Sequence, residues 1–245
     1  ENYVEPFIRG ACMKYDCDFG ITLDAKEDSG LDFKVIPAGT DPLERYEITY
    51  DFYMQVQNVA RLSFIEVEGY NPPSLCGKSS YTYTENLSWH QMARFTNTLS
   101  EREGLESCYD CENLTLNAVC ETAAEFVADG IHTCEGYRLP THAELEYTQR
   151  AGTDKDFWTP HGGADLLSYQ LSGWDVLLDD GVGTYLRDYV RCYKNTVSPR
   201  LPNGFGIIDI NGLYYDMAHD SAGCDYPNGY TNPICDDPTQ EEHVY

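Results

Sequence analysis

From residue 31 the chain alternates apolar and polar positions with a period of two. In "LDFKVIPAGTDP" an apolar strand carrying Phe33, Val35 and Ile36 is predicted to stop at Pro37 and Gly39, since proline offers no ladder N–H and glycine favours turns. A second strand is predicted in "RYEITYDFYMQVQ", where Ile48, Tyr50, Phe52, Met54 and Val56 share one side. Such alternation means that one face of the strand is buried.

The period then lengthens to that of a helix. "ENLSWHQMARFTNTLSEREG" predicts a helix from Ser88 to about Glu103. Ser88 and Gln91 form an S-x-x-Q capping box, Met92, Phe95 and Leu99 share a face, and Gly104 closes the end. Thr122-Ala-Ala-Glu125 starts a shorter helical piece by the same logic. "CEGYRLPTHAELEYTQRAGT" turns through Gly136 into a further helix capped by Thr141 and Glu144, with Ala143, Tyr147 and Ala151 on one face and Gly152 at its end. Capping and solvent account for the carboxylates of Glu144 and Glu146. Arg138, Glu144 and Glu146 are therefore expected to be structural, with Arg138 buried and hydrogen-bonded.

Beyond residue 155 regular periodicity fades into Gly, Asp, Asn, Pro and Tyr. The exception is "PNGFGIIDINGLYYDMAHD", a short apolar run between the turn pairs Asn203-Gly204 and Asn211-Gly212. The pattern as a whole predicts an α+β domain: two main helices on a small antiparallel sheet, followed by a long irregular half. Residues 1–30 read as an N-terminal extension or a displaced terminal strand, and 31–245 as the main domain. No full-length repeat or low-complexity linker interrupts it.

Composition narrows the partners. A chain of 245 residues with 42% apolar content supports a sizeable core. Its 41 acidic against 16 basic residues, a net charge of -25, exclude nucleic acid and anionic membrane surfaces, because both demand cationic neutralisation. Clustered carboxylates suit a calcium-rich or saline exterior, and equally serve solubility. Ten cysteines at irregular spacings, Cys12, Cys17, Cys76, Cys108, Cys111, Cys120, Cys134, Cys192, Cys224 and Cys235, are expected to pair as disulfides in an oxidising compartment. Cys108, Cys111, Cys120 and Cys134 have a spacing that a four-thiolate zinc site permits, but no second CxxC knuckle follows, and disulfides are preferred.

No apolar run is long enough to span a membrane, and Glu1 opens the chain without a leader, as in the mature form of a secreted or cell-surface protein. Asn86-Leu-Ser88 and Asn113-Leu-Thr115 are glycosylation acceptors by sequence.

Enzyme signatures are missing. There is no HExxH, no GxSxG elbow and no EF-hand loop, so the Asp-rich turns read as solvated and the histidines at 90, 132, 142, 161, 219 and 243 as surface or capping residues. The 20 tyrosines either provide rigid contact area for a protein or glycan or staple the irregular half.

The order of "VIPAGTDP", "DFYM", "GYNPP", "SWHQMARFTNTLSEREGL", "CYDC", "CEGYRLPTHAELEYTQRAGT" and "PNGFGIIDINGLYYD" resembles the formylglycine-generating-enzyme, or sulfatase-modifying-factor, family. The match covers about residues 31–220 and is most specific in GYRLPT-x-AE-x-EY. The resemblance implies a variant of the C-type-lectin fold held by disulfides and calcium, in a family that includes oxidases, other iron-dependent enzymes and noncatalytic binding proteins. Its oxidases carry a late RGGSY strand followed by two cysteines that bind copper as thiolates, fitting ligands for a soft monovalent ion. Here the chain reaches Tyr245 where that strand is due. The family's calcium turn, GN-x-WEW, also departs. With Asp209 aligned to the family Asp, Gly212 keeps its place and Asp216 stands for Glu, while Leu213 replaces Asn and Tyr215 and Met217 replace the tryptophans. Asp209, Asn211 and Asp216 remain as calcium candidates.

Three functions compete. The first is an extracellular noncatalytic binding or structural module whose partner is a protein or another copy of the chain, with a glycan as a further option. The second is a copper oxidase acting on a substrate cysteine through Cys12 and Cys17. The third is a carbohydrate-binding domain, which would need calcium and a Glu-Pro-Asn motif not found here. Residues 7–17, "FIRGACMKYDC", resemble the family's terminal strand, Arg9-Gly10 preceding a cysteine pair. They are expected to form a β-strand completing this domain's sheet, as in a circular permutation, or a neighbouring copy's.

Overall fold

The first apolar runs fold back on each other as a ribbon with a break in register. A computed structural model describes residues 31–73, 83–113, 115–165, 177–190, 201–211, 216–222 and 229–235. In it β1 (Phe33–Ile36) pairs antiparallel with β4 (Phe52–Gln55), and β2 (Gly39–Thr40) pairs antiparallel with β3 (Tyr46–Ile48). Ile36 faces Phe52 whereas Gly39 faces Ile48, so two residues on one side oppose three on the other, as in a bulge. Pro37 has no N–H to give at the break, and the Ala38 N–H donates instead to the Asp51 carboxylate at 2.8 Å. The single strand read over 45–57 is thus two. Inward alternation survives the break: Ile36, Tyr46, Ile48 and Phe52 enter one core with Ala143, Leu145 and Tyr147. A short β7 (Tyr230–Thr231) joins β3 in parallel.

Helix α1 (Arg61–Glu68) has no counterpart in the sequence reading. It begins at Ala60 without a side-chain cap and buries Arg61, whose guanidinium donates to the carbonyls of Pro72 and Pro73. Helix α2 (Trp89–Glu103) starts as its capping box predicts: Ser88 Oγ accepts the Gln91 N–H, Gln91 accepts the Ser88 N–H, and left-handed Gly104 ends it. The two helices meet through stacked Phe64 and Phe95, centroids 5.3 Å apart. Arg102 donates to the Glu66 and Val67 carbonyls, groups that the end of α1 would otherwise leave open.

After α2 the hairpin of β5 (Tyr109–Glu112) and β6 (Val119–Thr122) lies against it, followed by α3 (Ala124–Val127). Thr122 does not cap α3. It sits in the ladder opposite Tyr109, and Ala123 precedes the helix with no side-chain bond. Disulfides join Cys108 to Cys134 and Cys111 to Cys120, so these four sulfurs are bridges and not zinc ligands. Cys235 is disulfide-bonded as well. Cys12, Cys17, Cys76, Cys192 and Cys224 lie outside the described residues. Helix α4 (His142–Arg150) has a second reciprocal box at Thr141 and Glu144 and ends at left-handed Ala151, just before Gly152.

The two caps give a direct stability test. Ser88→Ala and Thr141→Ala should each cost about 1 kcal/mol, read as a lowered thermal midpoint. Midpoints unchanged in both variants would contradict the capping geometry.

Candidate functional site

The GYRLPT stretch is shaped by contacts that each need their residue type. A Cβ at Gly136 would strike the Glu106 carbonyl oxygen and come within 2.8 Å of Ser100 Oγ, so only glycine lets the chain lie on the end of α2. The Tyr137 N–H then donates to Ser100 Oγ at 2.8 Å. This path brings Arg138 beneath α4, where its guanidinium forks onto Glu144 with both bonds at 2.7 Å.

Glu144 is 1% exposed and its carboxylate is saturated. Besides Arg138 it accepts the Thr141 N–H at 2.7 Å and the Tyr50 hydroxyl at 2.9 Å. Burial alone would raise its pKa, but the charge and hydrogen bonds of Arg138, then Thr141 and Tyr50, hold it below the ordinary glutamate value. Burial, and next the neighbouring Glu144 charge, push the Tyr50 hydroxyl far up. His132 stacks on the Tyr50 ring at 5.0 Å, and burial followed by the Arg138 charge depresses its pKa. A carboxylate with four donors on it and a phenol that keeps its proton make a poor acid–base pair.

Glu146 belongs to a second network. Its Oε1 lies 2.8 Å from Arg45 and 3.1 Å from Arg150, and Arg45 also forks onto buried Asp41 at 2.7 and 3.0 Å. Both carboxylates are therefore held by arginine in the interior, and solvent does not account for them. Glu144 carries the cap as read. Asp41, Arg45 and Tyr50 carry no local signal of partnership, because they lie about a hundred residues upstream.

The acidic turn is anchored at separate points. Asp209, 2% exposed with φ +58°, accepts the Tyr83 hydroxyl at 3.1 Å. Asp216 accepts from Asn58 Nδ2 at 2.6 Å, and Asn211 is half-buried. Gly212, Leu213 and Tyr215 lie outside the described residues. Among the described residues no group of three or more His, Cys, Asp or Glu side chains is arranged to hold a metal ion.

The remaining sites are dispersed. Asn86 and Asn113 are exposed with left-handed φ; Asn113 lies in the turn joining β5 to β6. His219 is not at the surface: it is 1% exposed, its Nδ1 is 3.3 Å from the Tyr109 hydroxyl, and its ring lies near Trp89. Its neighbour Asp220 accepts the His142 N–H at 2.6 Å and the Cys235 N–H at 2.8 Å, strapping the late chain to the start of α4.

Known proteins resemble this chain in sequence and fold. The family profile described as the sulfatase-modifying factor enzyme 1-like domain matches residues 36–232. Chaperone protein LppX of Paenibacillus barcinonensis is 27% identical over 168 residues, 66% of this chain; the match spans 59% of that protein's length. The solved structure of Treponema denticola variable protein 1 is 21% identical with a TM-score of 0.53, covering 82% of this chain and 77% of that one. At that identity the likeness is one of fold. With the profile spanning most of the chain, the protein belongs to the sulfatase-modifying factor enzyme 1-like family.

Proposed function

We propose that this chain is a noncatalytic binding or structural module that works outside the cell. The observation that carries the reading is the condition of its reactive groups. Cys108, Cys111, Cys120, Cys134 and Cys235 are all in disulfides, leaving no thiolate for copper among the described residues. In the most family-specific stretch Arg138, Thr141 and Glu144 bond to one another, and Glu146 is held by Arg45 and Arg150. Disulfides suit an exported protein, and among the described residues no helix is long and apolar enough to cross a membrane. A relative named as a chaperone is compatible with a protein partner.

The finer form of the proposal concerns sheet edges. Among the described residues the β1–β4 ribbon has two strands and so two open edges that invite another strand. Residues 7–17, outside the described residues, are proposed to fill such an edge in this chain or in a neighbouring copy. In the second case removal of residues 1–20 abolishes assembly and leaves the core folded.

Intact mass under non-reducing conditions tests the main reading. Ten cysteines fully paired place the native chain ten protons below its reduced mass. Two free thiols at Cys12 and Cys17, with copper-dependent oxidation of a cysteine peptide, would establish the oxidase instead.

A further inference from the structure

Among the described residues the β5–β6 hairpin is fixed on one face and exposed on the other. Inward, Asn97 clamps the Tyr109 backbone through bonds of 2.6 and 3.2 Å, His90 Nδ1 accepts the Cys120 N–H at 3.1 Å, and the Cys111–Cys120 bridge ties directly opposed residues. Outward, Asp110 stands directly across from Glu121 and Glu112 across from Val119, all four exposed. Like charges in directly opposed positions oppose pairing, and none of these three carboxylates has an ion-pair partner among the described residues. Val119 is 55% exposed, and Leu116 in the adjoining turn is 51% exposed. A rigid platform thus presents aliphatic surface rimmed by uncompensated acid, a local conflict of the sort that functional surfaces tolerate.

We infer that this outward face docks a polypeptide segment bearing lysine or arginine next to an aliphatic side chain. Charge complementarity selects the occupant. A cation seated between Asp110 and Glu121 relieves their repulsion, and an apolar group one residue pair along the ribbon covers Val119. Among the described residues Arg45, Arg138 and Arg150 are committed to interior pairs. A second copy, at a net charge of -25, brings no net positive charge to complement this face. The occupant that complements this acidic face is a different, basic protein. This inference rests on the binding-module reading and adds the partner's chemistry.

The probe is a fluorescent synthetic peptide repeating Lys-Ser-Val-Ser, titrated by anisotropy at physiological salt against the oxidised full chain, beside a Lys-Ser peptide of equal charge. The unsubstituted protein should favour the valine-bearing peptide by about tenfold or more. D110N/E121Q/V119S should lose that preference, whereas E103Q/E125Q, the same charge change at exposed positions elsewhere, should keep it. Equal loss in both variants, or equal binding of both peptides, means attraction by net charge alone and overturns the inference. The thermal midpoint of D110N/E121Q should stay level or rise; a fall would assign the carboxylates a structural role, which also overturns it. None of these outcomes alters the disulfide count that decides the noncatalytic reading.

Discussion

Arg138→Ala is expected to destabilise the fold by about 3–5 kcal/mol, the cost of leaving one member of a buried ion pair without the other. The guanidinium supplies two of the four donors on Glu144 and the positive charge facing a carboxylate that is 1% exposed. Arg138→Lys keeps the charge and loses the fork, so it should fall between. R138M combined with E144L should recover much of the loss, since an apolar pair of similar volume avoids the desolvation cost. Urea midpoints measure all three, and a midpoint for R138A equal to the unsubstituted protein's would show the pair to be dispensable.

The same pair sets a pH dependence with a definite sign. Glu144 titrates lower in the folded chain than its unfolded value. Its contribution is thus fully present above the ordinary glutamate range, about 4.3, and is lost as pH falls through the depressed folded value. Arg138 is shifted upward, where burial is outweighed by Glu144, and stays charged throughout. In R138A, burial of Glu144 acts unopposed and favours the protonated acid. The stability gain from about pH 3 to 5 in the unsubstituted protein should therefore flatten or reverse in that variant.

Both long-helix starts were readable because a capping box closes within four residues, so its donors and acceptors are neighbours in sequence. The inward residues of the ribbon were readable for a similar reason: alternation survives even where the bulge divides a strand. Helix α1 was not. It lacks a capping side chain, and its first residue is a buried arginine whose partners are proline carbonyls in the following loop. The burial of Glu146 was equally hidden, since Arg45 reaches it from a distant part of the sequence. The late chain looked irregular because side chains do the work of ladders there. Asn203 accepts the N–H groups of Phe205 and Ile207 and donates to the Thr148 carbonyl, a pattern with no period to detect.

Removing the Cys108–Cys134 bridge by paired alanine substitution should cost about 3–4 kcal/mol, and removing Cys111–Cys120 about 2–3 kcal/mol. The order follows from loop length: the first bridge closes a separation of 26 residues and the second one of 9, and the longer loop withholds more freedom from the unfolded chain. Packing adds to the difference. Cys108 is fully buried and Cys134 nearly so, both in the cluster containing Trp89, Tyr109 and Ile131, where lost volume leaves a cavity. The longer bridge also pins Cys134 just ahead of Gly136, whose close approach to α2 delivers Arg138 to Glu144. Loss of that bridge should therefore couple to R138A, with the combined variant departing from additivity by more than about 0.5 kcal/mol. Combining R138A with loss of Cys111–Cys120 should come closer to additive, because that bridge stabilises the hairpin and not the approach to α4. Equal costs for the two bridges, or equal coupling to Arg138, would mean that the Cys108–Cys134 loop does not position the buried pair.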